Sequence, residues 1–332
     1  MKIKFFFLLS IIFLIFISCA AVNNVSKVIY DDFLNEIADN EIINKETAVL
    51  EPENAFLPSA GNFFENIKIG YFTNGSQMYA RKYGYGAGSF KAVIFIARIH
   101  GGEDGAENSV RIMENYLTRN PQIIPKNMSV FFINPASAVR SRLIYSSRHP
   151  AGADPNRNFL DTDLTLNETA AIALFIENIA AHWKNVTVIS AHQYDNLAGS
   201  RRTNGTGWVF PLYELTQKGL EAIEGKSGST PVIMRKGIDN HYTNPPASDN
   251  LARMFSQLVN FQYEPMWFYN HSTNQAEMYP GEFIYFISRL NKKLNASIDI
   301  IEFEIPKSDR HITNSNTRIG LIRFLLFLLS LE

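Results

Sequence analysis

Ala92-Val93-Ile94-Phe95-Ile96-Ala97, followed at once by Arg98-Ile99-His100-Gly101-Gly102-Glu103, is the stretch from which the fold is read. An unbroken apolar run of this length, rich in β-branched residues, fits a strand covered on both faces, as in the parallel sheet of an α/β protein. Such a strand carries the next residues to the carboxyl edge of the sheet, where open α/β folds place their ligands. Here that edge receives a histidine and a glutamate three positions apart, able to offer one nitrogen and one carboxylate to the same ion. The two glycines between them let the backbone bend tightly around it.

Outward from this stretch, strand and helix signals alternate. Ala106 to Thr118 reads as a helix, Ser129 to Ile133 as a second strand, Glu168 to Trp183 as an amphipathic helix and Val186 to Ser190 as a third strand. Leu212 to Ile223, Asn250 to Asn260 and Glu282 to Lys293 read as helices, and Ile298 to Ile305 as a late strand stopped by Pro306. No Pro/Ser-rich linker or internal repeat divides the run. The pattern therefore predicts one α/β domain with a mixed, mostly parallel central sheet and helices on both faces. The tail from Ile319 to Leu331 is apolar apart from Arg323 and too short for a bilayer span, so a terminal helix packed on the sheet is expected before a membrane anchor.

Composition narrows the function classes. The chain has 332 residues, 46% of them hydrophobic, enough to bury a substantial core and to exclude disorder. Its 31 basic and 32 acidic residues give a formal charge of -1, so no global basic field exists to hold nucleic acid. The single cysteine, Cys19, excludes an intramolecular disulfide framework and a thiolate-bound structural zinc. It closes a leader in which Lys2 and Lys4 precede the apolar run Phe5 to Ile17, the dimensions of a signal-peptide core. Phe16-Ile17-Ser18-Cys19-Ala20 resembles a bacterial lipobox, with Phe16 where leucine is commonest. The resemblance implies a signal peptide over 1–18, a lipidated N-terminus at Cys19 and a tether over 19–62 with a short helix near Asp31 to Asn40. It also implies an exported protein anchored through lipid to a bacterial membrane, on its periplasmic or cell-surface face. An ordinary signal peptide with an incidental cysteine is the alternative. Residues 63–332 remain for the α/β domain.

A third ligand for the ion is available in His192, within Val188-Ile189-Ser190-Ala191-His192-Gln193-Tyr194 at the end of another predicted strand. Two histidines and one carboxylate, with a position left open for water, is the constitution of a catalytic zinc site. His182, at a helix end, and His241 have no such setting. In Ile301-Glu302-Phe303-Glu304-Ile305 the period of two puts both glutamates on one face of the late strand, so either can point into the site.

Between the ligands stand Asn134-Pro135-Ala136-Ser137, then Arg148, then Asp154-Pro155-Asn156-Arg157-Asn158-Phe159. With these in order, the chain from about residue 65 to 330 resembles the zinc carboxypeptidases, the M14 metallopeptidase family. That family carries His-x-x-Glu, Asn-Pro-Asp-Gly, an arginine upstream of Asp-Leu-Asn-Arg-Asn-Phe, a strand-borne histidine and a late-strand glutamate. The departures are Ala136-Ser137 for Asp-Gly and Pro155 for leucine.

The resemblance implies one zinc ion held by His100, Glu103 and His192, with Asp154 orienting the first histidine. It makes Asn156 and Arg157 the pair that grips a substrate's terminal carboxylate, a task suited to arginine's fork. Arg148 would polarise the scissile carbonyl, with Arg142 as its competitor. Glu304 would be general base and acid, leaving Glu302 as a structural or edge carboxylate. Tyr279 would close over the substrate, with Tyr285 as the alternative. The implied activity is zinc-dependent hydrolysis of the amide bond beside a free C-terminal carboxylate, in peptides or cell-wall stem peptides. The short separation of Glu103 from His192 also suits the succinylglutamate desuccinylase and aspartoacylase branch, which would make the protein an N-acyl amino acid deacylase. An inactive surface binding lipoprotein is the third reading. The expected partners are a peptide or peptidoglycan-derived substrate and the anchoring membrane, with no nucleic acid and a monomeric chain. Side-chain specificity is expected from the stretch Gly205 to Asn274, where Asp239 or Asp249 at the pocket base would favour basic residues.

Overall fold

The apolar run 92–97 forms the third strand of an eight-stranded sheet in the computed structural model of the chain, which describes residues 63–85, 91–137, 153–160, 166–194, 207–237, 239–306 and 315–331. These residues belong to one compact unit, Pro52–Glu332. The predicted leader, Cys19, the tether with its short helix, Arg142 and Arg148 all lie outside them.

The strands of the large sheet are β1 (Phe64–Tyr71), β2 (Gln77–Gly84), β3 (Lys91–Ala97), β4 (Met128–Ile133), β5 (Asn185–Tyr194), β6 (Trp208–Pro211), β10 (Gln262–Tyr263) and β12 (Ile298–Pro306). Their order is β1-β2-β4-β3-β5-β12-β6-β10. The centre, β4-β3-β5-β12, is parallel, while β1, β2 and β6 join antiparallel to their inner neighbours. All seven residues of β3 are buried, as a strand covered on both faces requires. Two short pairs stand apart, β7 (Glu214–Leu215) with β9 (Tyr242–Thr243), and β8 (Val232–Arg235) with β11 (Gln275–Met278).

Helices cover both faces. On one lie α1 (Asp104–Arg119), α4 (Pro246–Val259) and α6 (Ser315–Ser330), and on the other α2 (Asn167–His182) and α5 (Phe283–Leu294). The apolar tail is α6, which buries Leu321, Phe324, Leu325 and Leu328, with the Phe324 ring 4.7 Å from that of Phe255 on α4. Its apolarity serves the core, and among the described residues no helix is long and apolar enough to cross a membrane.

One predicted element is shorter than expected. Leu212 to Ile223 reads as a continuous helix, but only α3 (Gln217–Ile223) is helical. Leu212 is held extended by its backbone bond to Ile300 (2.9 Å), and Thr216 starts the helix by accepting the Gly219 N–H at 3.3 Å. The β1-β2 hairpin, whose turn has Gly75 at a φ of 84°, carries too little apolar alternation to stand out in the sequence.

Because β3, β5 and β12 run parallel, their carboxyl ends lie side by side and the chain after each of them meets at one edge of the sheet.

Candidate metal centre and its surroundings

His100 and Glu103 stand on the short connection between β3 and α1. Arg98, at a φ of 59°, turns the chain out of the strand, and its buried guanidinium holds Glu107 and donates to the Ser137 carbonyl at 2.7 Å. Glu103 stands at the N-cap position of α1, so the helix start fixes its backbone, while its carboxylate makes no capping bond and is turned to the histidines. His192 arrives from β5 as the neighbour of β3.

The three side chains converge. One ligand atom from each of His100, Glu103 and His192 lies within 4.8 Å of the others, and all three residues are buried. Glu103 receives Nδ1 of His100 on Oε1 at 2.9 Å and faces Nδ1 of His192 with Oε2 at 3.4 Å. The opposite ring nitrogens are taken by other groups: Nε2 of His100 meets Asp154 Oδ1 at 2.9 Å, and Nε2 of His192 meets Ser190 Oγ at 3.1 Å. Both Nδ1 atoms are thereby turned toward one carboxylate, with an oxygen behind each imidazole to set its tautomer. Two imidazole nitrogens and a carboxylate aimed at one point fit a divalent ion, and zinc among these is the one this donor set suits best. Burial lowers the pKa of His192, but Glu302, Glu103 and Glu304 outweigh it and push it up to about 10.

Asp154 joins this centre to a second cluster. It caps the short turn Pro155–Arg157, accepting the Asn156 N–H at 2.9 Å on the same oxygen that holds His100. Burial raises the Asp154 pKa, but His100 outweighs it and the carboxyl falls to about 2. Asn156 is oriented by Phe283, whose backbone N–H at the start of α5 donates to Oδ1 at 2.9 Å, leaving the Nδ2 hydrogens to point elsewhere. The Arg157 guanidinium lies 3.7 Å over the Tyr279 ring and 3.7 Å from Glu282 Oε1. Gly281 is required here, since a Cβ on it would stand 2.0 Å from the Arg157 carbonyl oxygen. Of the two tyrosines weighed from sequence, Tyr279 is the one brought to Arg157. Tyr285 is a core residue stacked on Tyr213 and facing Arg289.

The late strand supplies two carboxylates. In the β12-β5 register Glu304 pairs with His192 and Glu302 with Ser190, and both glutamates are buried. Glu304 therefore stands at the depth of the histidine, toward the carboxyl end of the sheet. Glu302 is not an edge carboxylate, because β12 is an inner strand between β5 and β6, and its Oε1 reaches to 3.8 Å from Nε2 of His192. Asp239 and Asp249 are not at the base of this cluster. Asp239 is paired on the surface with Lys218 and Arg235, and Asp249 is held by Arg253 and Tyr263.

Sequence reading passes over Glu282, Tyr213 and Ser190. Glu282 is buried beside Arg157 and accepts the Tyr213 hydroxyl at 2.5 Å, and burial pushes its pKa up to about 7. Its one sequence signal is an acidic residue at the start of a predicted helix, which ordinarily means a solvated cap. Nothing in the local pattern marks Tyr213, since it falls inside the stretch misread as a helix. The Asn134-Pro135-Ala136-Ser137 segment lies against the end of β3, with the Ala136 N–H donating to the Ala97 carbonyl at 2.8 Å.

No family model matches the chain, and no curated protein does. Solved structures do. A metallo-carboxypeptidase from Pseudomonas aeruginosa is similar with a TM-score of 0.52 and 14% identity, the match covering 80% of this chain and 64% of that one. A carboxypeptidase A from Helicoverpa armigera is similar with a TM-score of 0.51 and 11% identity, over 80% of this chain and 69% of the other. A metallo-carboxypeptidase from Burkholderia cenocepacia is similar with a TM-score of 0.50 and 14% identity, over 80% of this chain and 64% of that one, so the chain spans somewhat under two thirds of its length. At such identities the likeness shows the fold, which is carboxypeptidase-like α/β with a mixed, mostly parallel sheet.

Proposed function

We propose that the chain is a zinc-dependent carboxypeptidase acting on the C-terminal amide bond of peptides or cell-wall stem peptides. The observation that carries the proposal is Asp154 Oδ1, which holds His100 of the candidate metal group and the Asn156 N–H of the Arg157 turn at the same time. A metal centre and a cation suited to a carboxylate are thus fixed within one bond network, as hydrolysis next to a terminal carboxylate needs.

In this reading His100, Glu103 and His192 hold the ion, which when bound supplies Lewis acidity for the amide carbonyl and the attacking water. Arg157 and the Nδ2 hydrogens of Asn156 bind the terminal carboxylate, and Tyr279 flanks the arginine. Glu304 takes a proton from water as the new C–O bond forms, then passes it to the amine nitrogen as the C–N bond breaks. Arg148 remains the proposed carbonyl-polarising arginine on sequence grounds. We extend the proposal to export and lipid anchoring through Cys19, which rest on the leader and the lipobox-like residues.

To test it, the purified full-length chain is assayed for bound zinc and for chelator-sensitive release of C-terminal residues from peptides and muropeptides. Release of amino acids only from small N-acyl substrates would transfer the protein to the deacylase reading. A fully zinc-loaded protein that hydrolyses none of these substrates would overturn the enzyme assignment.

A further inference from the structure

The face of the sheet under α4 and α6 changes character toward its amino end. Along β3, β5 and β12 this face carries apolar side chains, Val93, Ile189 and Ile301 among them, yet two residues earlier stand Lys91, Thr187 and Asp299. Strand alternation turns these three the same way as the apolar residues that follow them. They border a cavity of about 380 Å³ whose other walls include Leu251 and Met254 of α4 and Phe327 of α6. Thr187 and Asp299 precede His192 and Glu304 by five residues, which puts the cavity about 16 Å from the metal centre along the strands, at the other edge of the sheet.

The two charges on this wall do not meet. Lys91 is 8% exposed and donates to the Leu331 carbonyl at 3.0 Å, while Asp299 accepts the Ser248 hydroxyl, from the first turn of α4, at 2.9 Å. Among the described residues, no opposite charge stands within 4.0 Å of either. β5 runs between their strands and keeps the two backbones about 10 Å apart. Burial lowers the Lys91 pKa against the pull of Asp299, and raises that of Asp299 against Ser248 and Lys91. Water has thus been withdrawn from a cation and an anion that face one cavity without touching.

A ligand that closes this gap carries both signs of charge. An anion alone would attract Lys91 and repel Asp299, a cation the reverse, and a wholly apolar molecule would take more water from each. Leu251, Met254 and Phe327 favour an apolar group beside the charges. A volume of about 380 Å³ is at the small end for ligand pockets and suits a molecule of amino-acid size. We propose that this cavity is a second binding site, for a small zwitterion with an apolar side chain, an α-amino acid such as leucine, with its carboxylate on Lys91 and its ammonium on Asp299. The inference goes beyond the carboxypeptidase reading and does not depend on it.

The test is titration calorimetry on the zinc-loaded full chain with leucine, with N-acetylleucine, which lacks the cation, and with leucinamide, which lacks the anion. Leucine should bind more tightly than either by about tenfold or more, the loss expected when a charged group is left without its hydrogen bond. Asp299→Asn, which can still accept from Ser248, and Lys91→Met, which keeps the apolar stem, should each weaken leucine by a similar factor with circular dichroism unchanged. Arg157→Met should leave this binding as it is, and the three probes on that variant decide the matter if neither cavity variant folds. Leucine binding that survives both cavity variants and is lost in Arg157→Met would belong to the cluster at the metal centre and end the second site. An analogue that binds as tightly as leucine would overturn the zwitterion, and no heat from leucine would overturn the site itself. Binding that appears only once Glu332, which lies outside the described residues, is removed would make that residue the occupant and overturn the proposal as well.

Discussion

Replacing Gly281 with alanine probes the coupling between the Arg157 turn and the start of α5. A Cβ at position 281 would meet the Arg157 carbonyl oxygen at 2.0 Å and its carbon at 2.5 Å, and Gly228 Cα at 3.0 Å from another side. Real Cβ contacts lie beyond about 3.0 Å, so the two backbones must part by about 1 Å, and neither neighbour is a side chain that can swing away. Overpacking of this kind costs about 1–3 kcal/mol of stability. The functional loss should be larger in proportion, because the same separation pulls on the Phe159 N–H to Gly281 carbonyl bond (3.0 Å) and on the Phe283 N–H to Asn156 bond (2.9 Å). A displacement of about 1 Å in a positioning element can lower the rate roughly a hundredfold. The assay is kcat/KM on a C-terminal peptide substrate, read beside zinc affinity and the melting temperature. We expect kcat/KM to fall by about two orders of magnitude and zinc affinity to fall by less, since His100, Glu103 and His192 stand on other elements and Asp154 alone links them to the turn. A Gly281→Ala protein that melts within a degree of wild type and turns over normally would refute the packing argument. One that loses zinc as well would show that the turn and the metal centre are not separable.

Other perturbations have distinct outcomes. Glu304→Gln should lower kcat by about 10²–10⁴ while zinc stays bound, measured by steady-state kinetics and metal analysis. Arg157→Lys keeps the charge but loses the fork, and should raise KM by about tenfold to a hundredfold with kcat less affected. Glu282 gives a pH signature. Burial, only partly offset by Arg157, raises it from 4.5 to about 7, so its contribution to stability is complete below 4.5 and fades as pH rises through 7. The difference is about 3 kcal/mol, and thermal melts between pH 4.5 and 8 should lose this slope in Glu282→Gln. Leu325→Ala on α6 should cost about 2–5 kcal/mol in denaturant unfolding, as a buried core residue does and a membrane anchor in solution would not. Cys19→Ser should release the protein from the membrane fraction into the soluble one, read by blotting.

The parts of the fold legible in the sequence are those where one physical rule acts alone. β3 is read from Ala92–Ala97 because burial on both faces leaves no other pattern, and α6 from its apolar length because no bilayer-spanning helix is so short. Leu212–Ile223 fails because two rules compete. Its composition permits a helix, but pairing with β12 at Ile300 and the Thr216 cap keep the first half extended. At the site, His100, Glu103 and His192 could be proposed together because each follows or ends a strand, and parallel strands deliver their ends to one edge. Glu282 could not, since being a helix cap says nothing about whether the cap faces water or an arginine.

The two glutamates of β12 show where periodicity stops and topology has to take over. A period of two puts Glu302 and Glu304 on one face and cannot rank them. Their difference comes from the neighbouring strand: register with β5 sets Glu304 against His192 and Glu302 against Ser190, one step deeper. Glu304 stands level with His192, whereas Glu302 lies one step deeper, where its Oε1 reaches to 3.8 Å from Nε2 of that histidine. The two Gln variants should therefore differ in turnover. Glu304→Gln should depress kcat for every substrate alike, whereas Glu302→Gln should leave a larger share of turnover, because the carboxylate level with His192 is the one placed to move the proton. Parallel loss of kcat for all substrates in both variants would mean that depth along β12 does not divide their roles.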